Sequence, residues 1–162
     1  MGYLQKANIV VKPEKYREIG PCGLYCGMCT MYRAYHDRDL DLLKEAPKNF
    51  ITQMKLPSEP RFSDIACEGC LSPLTFSFCS TCDIRKCVLD KKIKLCIECA
   101  EYPCKKLYDF QSDWQLPILD HLREINKIGL DEWLKNAEER WKCTKCGNRL
   151  HWYSYGICSK CK

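Results

Sequence analysis

The sequence lacks any apolar run long enough to cross a bilayer. Its 162 residues are 46% hydrophobic, yet the longest apolar runs fall far short of the roughly 18 residues that a membrane helix needs. No signal-peptide pattern opens the sequence either. We therefore expect a protein that works in the cytoplasm and makes no membrane contact.

Motifs of the common enzyme classes are also missing. The sequence contains no phosphate-binding loop, dinucleotide fingerprint or nucleophile triad, and none of its acidic residues lies in a motif typical of a general base. The alternating strands and helices that a radical S-adenosylmethionine barrel requires are absent as well. No catalytic residue can be named, and whether the protein is an enzyme stays open.

Cysteine, in contrast, is abundant. It accounts for 15 of the 162 residues, and the odd count and repeated CxxC spacing indicate reduced thiolates rather than disulfides. Thiolates of this spacing bind zinc or iron-sulfur clusters. Three four-thiolate sites would lower the formal charge from +5 to about −1, so overall charge does not indicate a nucleic-acid partner.

The densest cysteine stretch runs from residue 67 to residue 104 and reads CEGC, CSTCDIRKC and CIECAEYPC. Its spacing C-x2-C-x4-C occurs twice, seventeen residues apart, and a CxxC turn points two sulfurs at one ion. Two four-thiolate sites are the simplest partition. The first comprises Cys67, Cys70, Cys79 and Cys82, and the second comprises Cys87, Cys96, Cys99 and Cys104. One alternative moves Cys87 or Cys104 into a site with Cys22, Cys26 and Cys29, and another has thiolates that bridge a polynuclear cluster.

A second cysteine motif lies upstream in PCGLYCGMCTMYRAYH. Its cysteines, Cys22, Cys26 and Cys29, have the spacing i, i+4, i+7, which would place all three on one face of a helix. Gly23 and Gly27 each weaken a helix, so a loop over the first turn is an equal alternative. The triad has no fourth thiolate, and His36 is the nearest candidate for a fourth ligand. An open position there would make this site the most labile one.

The C-terminal cysteines have the most specific spacing in the sequence. Cys143, Cys146, Cys158 and Cys161 follow C-x2-C-x11-C-x2-C, which predicts a zinc ribbon of two knuckles joined by a short hairpin. We therefore divide the chain into a helical metal-binding domain at 1–140 and a ribbon at 141–162. Basic and aromatic side chains of the ribbon would contact a protein or a nucleic acid; these are Arg149, His151, Trp152, Tyr153 and Tyr155.

The remaining patterns predict helices. Helical spacing of apolar residues occurs at 12–20, 37–54, 117–129 and 131–141. Pro13 lies in the first turn of the first segment, Pro117 opens the third, Gly129 closes it, and Asp131 caps the fourth. The predicted fold is a small, mainly α, metal-stapled cysteine-rich domain with a C-terminal β zinc ribbon.

The run CGLYCGMCTMYRA, followed by CEGC, CSTCDIRKC and CIECAEYPCKKLYDF, resembles a prokaryotic family of cysteine-rich proteins classed only as a domain of unknown function. The resemblance covers roughly residues 20 to 135 and leaves the C-terminal ribbon outside. Members of that family look like cytosolic metal binders of archaea and anaerobic bacteria. The resemblance therefore implies metal binding through the cysteines and implies no particular activity.

Taken together, these patterns predict a multi-site metal-binding protein that serves as a structural or interaction module. Zinc is the favoured metal, with three to four ions per chain. One alternative is an iron-sulfur protein in electron transfer or cluster delivery, with a [4Fe-4S] cluster at Cys22, Cys26 and Cys29 or in the stretch from Cys67 to Cys104. Another is a metalloenzyme whose open zinc position lies at that cysteine triad.

Overall fold

The computed structural model describes residues 14–154 and 157–161 of the chain. Pro13, which begins the first predicted helix, and Tyr155, one of the predicted contact residues, lie outside these ranges. Seven α-helices follow one another; they are α1 Thr30–His36, α2 Phe50–Gln53, α3 Ser77–Ser80, α4 Asp83–Lys91, α5 Lys105–Trp114, α6 Ile118–Ile128 and α7 Leu130–Arg140. Short 3₁₀ turns separate them; they lie at Glu14–Tyr16, Cys26–Met28, Leu40–Glu45, Phe62–Asp64, Cys96–Glu98, Trp152–Ser154 and Ser159–Cys161.

The predicted C-terminal β ribbon is wrong, since residues 14–154 and 157–161 contain no β-strand. What remains of the hairpin is one antiparallel bridge between Lys142 and Arg149. The returning strand cannot continue, because the Ser154 hydroxyl donates to the His151 carbonyl at 2.6 Å and folds the chain into a 3₁₀ turn. The C-terminal cysteines are therefore carried by loops.

Most of the buried apolar side chains form one cluster, here called the major core. It packs the inner faces of α4 to α7 against the N-terminal loop, and its members include Ile19, Tyr25, Val88, Leu107, Leu119, Leu122, Ile125 and Trp133. Helix α6 begins after Pro117 and ends at Gly129, as predicted, and places four apolar residues inside. The predicted cap Asp131 instead lies in the first turn of α7, whose N-cap is Gly129.

A smaller cluster, here called the minor core, surrounds α1. It joins α1 to the 3₁₀ turn Leu40–Glu45, to α2 and to the loop before α3, and its members include Met31, Tyr32, Leu43, Phe50, Ile65 and Phe76. Pro47 separates the turn from α2, as the interrupted pattern at 37–54 predicts. The two cores meet where the first cysteine motif crosses from one to the other.

Of the two conformations that the sequence left open for Cys22, Cys26 and Cys29, the structure has the loop, so the three cysteines do not share one helix face. Helix α1 begins only at Thr30, and Cys29 is its N-cap. Gly23 has a φ of +91°, and a Cβ there would lie 2.6 Å from the Ile118 carbonyl oxygen. Because the loop passes this close to α6, Gly23 keeps its positive φ, and the chain does not form a helix between Cys22 and Cys26.

None of the helices in residues 14–154 and 157–161 is both long and apolar enough to cross a membrane.

Candidate metal centres

The four C-terminal cysteines converge on one point. Their sulfur atoms all lie within 4.8 Å of one another, with 3.8 Å between Cys143 and Cys161 and 3.5 Å between Cys146 and Cys158. A tetrahedral ion with Zn–S bonds of about 2.3 Å sets its sulfurs about 3.8 Å apart. The donor set and its spacing therefore fit a single tetrahedral metal ion.

Two tight turns bring these sulfurs together. In the first, the Gly147 amide donates to the Cys143 carbonyl and the Cys143 amide donates to the Asn148 carbonyl, both at 2.8 Å. Gly147 takes a φ of +70° in open space, which a residue with a side chain adopts only with strain. In the second turn, the Cys161 amide donates to the Cys158 carbonyl at 3.2 Å. Each CxxC pair is thus held by its own backbone.

Electrostatics favour metal capture at the same place. Backbone N–H groups of Cys146 and Lys145 point at the Cys143 sulfur and lower the pKa of that thiol. A hydrogen bond with Cys146 and the neighbouring thiols raise the pKa of Cys161. The site therefore offers one ready thiolate, and a bound cation would ionise the remaining thiols.

Buried polar contacts fasten the C-terminal segment, residues 141–154 and 157–161, to the rest of the chain. The His151 side chain is 4% exposed; its Nδ1 lies 2.9 Å from the Thr30 hydroxyl, and its Nε2 lies 2.9 Å from a Glu45 oxygen. A carboxylate only accepts, so Nε2–H is the donor to Glu45. Arg149 adds an ion pair to Glu18 at 3.1 Å. Specific polar pairs thus hold this segment against the rest of the chain.

Two of the aromatic side chains predicted to meet a partner, Trp152 and Tyr153, contact the chain itself. Trp152 packs against the major core, while Tyr153 packs against the minor core and meets Phe50 edge to face with ring centroids 4.6 Å apart. A partner surface formed by this segment stays a prediction.

A second concentration of thiols surrounds a cavity of about 440 Å³ between the two cores. Seven cysteines line it; they are Cys22, Cys26, Cys29, Cys67, Cys70, Cys79 and Cys82. The upstream triad and the first predicted four-thiolate site are therefore neighbours around one space rather than two separate sites. Much of the remaining wall is apolar, from residues such as Met31, Phe76 and Trp114.

The thiols around this cavity are strongly desolvated. Burial raises the pKa of Cys26 well above its ordinary value, and the nearby thiols of Cys70 and Cys29 raise it further. Burial also raises the pKa of Cys22 to about 12. The thiols of Cys22 and Cys26 are therefore expected to stay neutral until a cation replaces their protons, because an unpaired buried thiolate is costly.

Cys96 belongs to the second predicted four-thiolate site, with Cys87, Cys99 and Cys104. Burial, followed by the neighbouring thiols of Cys104 and Cys87, raises its pKa to about 12. Cys99 has a different environment, since a backbone amide and the Lys91 ammonium, whose Nζ is 3.2 Å from the sulfur, lower its pKa.

His36, the candidate fourth ligand of the upstream triad, contacts a backbone carbonyl. Its Nε2 lies 2.9 Å from the Cys67 carbonyl and donates to it, while its ring lies tilted against Tyr32 and meets Tyr35 edge-on. Within the described ranges, the C-terminal cysteines form the one group of three or more ligand side chains within 4.8 Å of one another. The histidine instead holds the Cys67 loop against α1.

Two side chains that support the C-terminal centre have no signal in the sequence pattern. Thr30 is 2% exposed and Glu45 ends a short 3₁₀ turn. The His151 side chain, which lies 106 or more residues further along the chain, contacts both. Thr30 follows the last cysteine of the upstream motif and Glu45 lies in no motif, and only the tertiary structure shows that both contact His151.

The described fold and its thiols define a class: a small helical, cysteine-rich domain with a preformed four-thiolate cluster and further thiols around an apolar cavity. Residues 18–109 match the family described as Protein of unknown function (DUF3795), and the chain belongs to that family. The match includes the upstream motif and all the cysteines from Cys67 to Cys104, and it excludes the C-terminal cluster. Neither the curated proteins nor the solved structures contain a match to the chain.

Proposed function

We propose that this protein is a thiolate metal-binding module in which Cys143, Cys146, Cys158 and Cys161 hold one structural zinc ion. The observation that carries this proposal is the spacing of the four sulfurs, which lie within 4.8 Å of one another before any ion is added. Structural zinc sites are closed by four such ligands and keep no position for water.

The sulfur spacing also argues against a larger group at this centre. An iron-sulfur cluster inserts several iron atoms between its cysteine sulfurs and needs them further apart than the 3.5 and 3.8 Å found here. A four-thiolate set at this spacing accepts one tetrahedral ion, and zinc is the usual occupant of closed structural sites.

The role that we propose for the ion is to fix the C-terminal segment on the helical domain. Loops without strands have few backbone bonds of their own, so the ion supplies the local order that a β-hairpin would otherwise give. The segment then presents His151 and Arg149 to Thr30, Glu45 and Glu18. None of the fifteen cysteines forms a disulfide, which supports function with reduced thiols.

Metal analysis of the full chain and of two variants tests the proposal. Cys146→Ser removes one ligand and should lower the zinc content by one ion per chain. Ser159→Ala is the matched control, since it changes a neighbouring non-ligand in the same segment and should leave the zinc content unchanged. Equal zinc in the wild type and in Cys146→Ser would refute the assignment.

A further inference from the structure

Eight of the eleven cysteines outside the C-terminal segment lie in or against one of the two hydrophobic cores. We propose that the set in the minor core, Cys26, Cys29, Cys67 and Cys79 with Cys70 beside them, holds an iron-sulfur cluster in the cavity. The set in the major core, Cys22, Cys82, Cys96 and Cys104, forms a second thiolate metal centre. The upstream motif thus gives two cysteines to the first centre and one to the second, and the pair Cys79 and Cys82 is divided between the two centres.

Packing of the side chains supports this division. Cys22 and Cys96 are buried members of the major core, with Cys82 and Cys104 packed against it. Cys67 is a buried member of the minor core, and the thiols packed against it are Cys26, Cys29 and Cys79. The division therefore follows the two hydrophobic clusters rather than the order of the motifs.

The first motif divides because its loop crosses between the cores. Cys22 precedes Gly23, which lies against Ile118 of the major core. The Cys96 amide donates to the carbonyl of the preceding Pro21 at 2.8 Å, which brings the Cys96 loop to the same place. Cys29, seven residues after Cys22, is the N-cap of α1 and belongs to the minor core.

The second motif divides for a similar reason. Cys79 lies in α3, which follows Phe76 of the minor core. Cys82 is the N-cap of α4, whose Ile84 enters the major core. The turn between α3 and α4, in which the Cys82 amide donates to the Cys79 carbonyl at 3.2 Å, therefore packs one cysteine against each core, and both cysteines border the cavity between the cores.

A polynuclear cluster suits the minor-core set better than one ion does. The C-terminal sulfurs are spaced for one ion, whereas among the described residues neither of the two sets contains three sulfurs within 4.8 Å of one another. What distinguishes the minor-core set is that all five of its thiols line the cavity of about 440 Å³, which Cys22 and Cys82 of the other set also border and which is far larger than a single ion requires. Cysteine thiolates hold such clusters, and an apolar wall limits the access of water.

Two double variants of the full-length chain, grown with iron and purified without oxygen, test the proposal. Cys26→Ser/Cys79→Ser changes two ligands of one centre and should remove the iron and acid-labile sulfide of that centre alone. Cys79→Ser/Cys82→Ser changes one ligand of each centre and should remove the metal of both. Zinc in the C-terminal segment should remain in each variant, and far-ultraviolet circular dichroism compared with the wild type reports whether the helical domain still folds.

The conventional pairing of CxxC motifs expects the opposite pattern, in which Cys79→Ser/Cys82→Ser empties one centre and Cys26→Ser/Cys79→Ser empties two. That pattern, or wild-type protein without acid-labile sulfide, would overturn the proposal.

Single variants give a second readout that does not need the double variants to fold. Cys26→Ser and Cys79→Ser should alter the same component of the visible or paramagnetic spectrum, and Cys82→Ser should leave that component unchanged; an identical effect of Cys79→Ser and Cys82→Ser would contradict the division.

Discussion

Removal of the His151 side chain is expected to loosen the C-terminal segment from the helical domain. His151→Ala eliminates the contacts of 2.9 Å to the Thr30 hydroxyl and to the Glu45 carboxylate. Thr30 is 2% exposed, so its hydroxyl would lose a partner that water cannot easily replace. The change therefore removes two hydrogen bonds and leaves a desolvated polar group behind.

The magnitude follows from those two losses. A net hydrogen bond contributes about 1 kcal/mol, a bond to a charged group contributes about 1.5–3 kcal/mol, and an unsatisfied buried group adds to the cost. We expect His151→Ala to lower the free energy of unfolding by about 2–4 kcal/mol. For a chain of this size the melting temperature should fall by roughly 5–15 °C.

Thermal unfolding at a fixed excess of zinc measures this effect, because bound metal also shifts the melting temperature. A double-mutant cycle with Glu45→Ala isolates the contribution of the His151–Glu45 pair, which should be about 1–3 kcal/mol. Ser159→Ala serves as the control, since it changes an exposed residue of the same segment and should leave the melting temperature unchanged. A coupling energy near zero, or a melting temperature equal to that of the wild type, would refute the docking contact.

Three further predictions concern Gly23, His121 and Cys26. Gly23→Ala should destabilise the protein by about 1–3 kcal/mol more than Gly129→Ala, as measured by denaturant unfolding, because both glycines have positive φ but only Gly23 has neighbours in contact with a new Cβ. Burial lowers the pKa of His121, so stability should be complete above the ordinary pKa of about 6.5 and fall below it as the unfolded chain takes up a proton; the melting temperature of His121→Gln should change less with pH. Burial raises the pKa of Cys26, so metal affinity at the cavity should rise with pH by up to about tenfold per unit for each proton displaced, which chelator competition measures.

The part of the fold that could be predicted from sequence is the part fixed by local rules. Pro117 and Gly129 bound α6 because one begins a helix readily and the other tolerates a positive φ. The interrupted pattern around Pro47 likewise marks the break before α2. These signals depend on neighbouring residues alone.

The upstream cysteine motif shows where such rules fail. The spacing of its cysteines is compatible with a helix, but a tertiary contact prevents one. Gly23 lies so close to the Ile118 carbonyl, 95 residues further along the chain, that a Cβ would not fit there. The glycines in the motif weaken a helix, and that was the one local sign of a loop. The CxxC spacing also carries no information on which core each sulfur meets.

The C-terminal motif was informative about ligands and misleading about backbone. Its spacing identified four cysteines that the structure brings together, whereas the expected hairpin gives way to a 3₁₀ turn at Trp152–Ser154. His151, assigned from sequence to an outside partner, is buried against Thr30. The burial of a polar residue by a distant segment leaves no periodic pattern to read.

X-ray absorption at the zinc edge of the purified full-length protein tests the central claim most directly. We predict bound zinc with four sulfur neighbours at about 2.3 Å. In Cys146→Ser the zinc content, and with it the zinc–sulfur contribution per chain, should fall by one ion. Protein that binds no zinc when supplied with it, or zinc whose neighbours are nitrogen and oxygen, would contradict the assignment of Cys143, Cys146, Cys158 and Cys161 as its ligands.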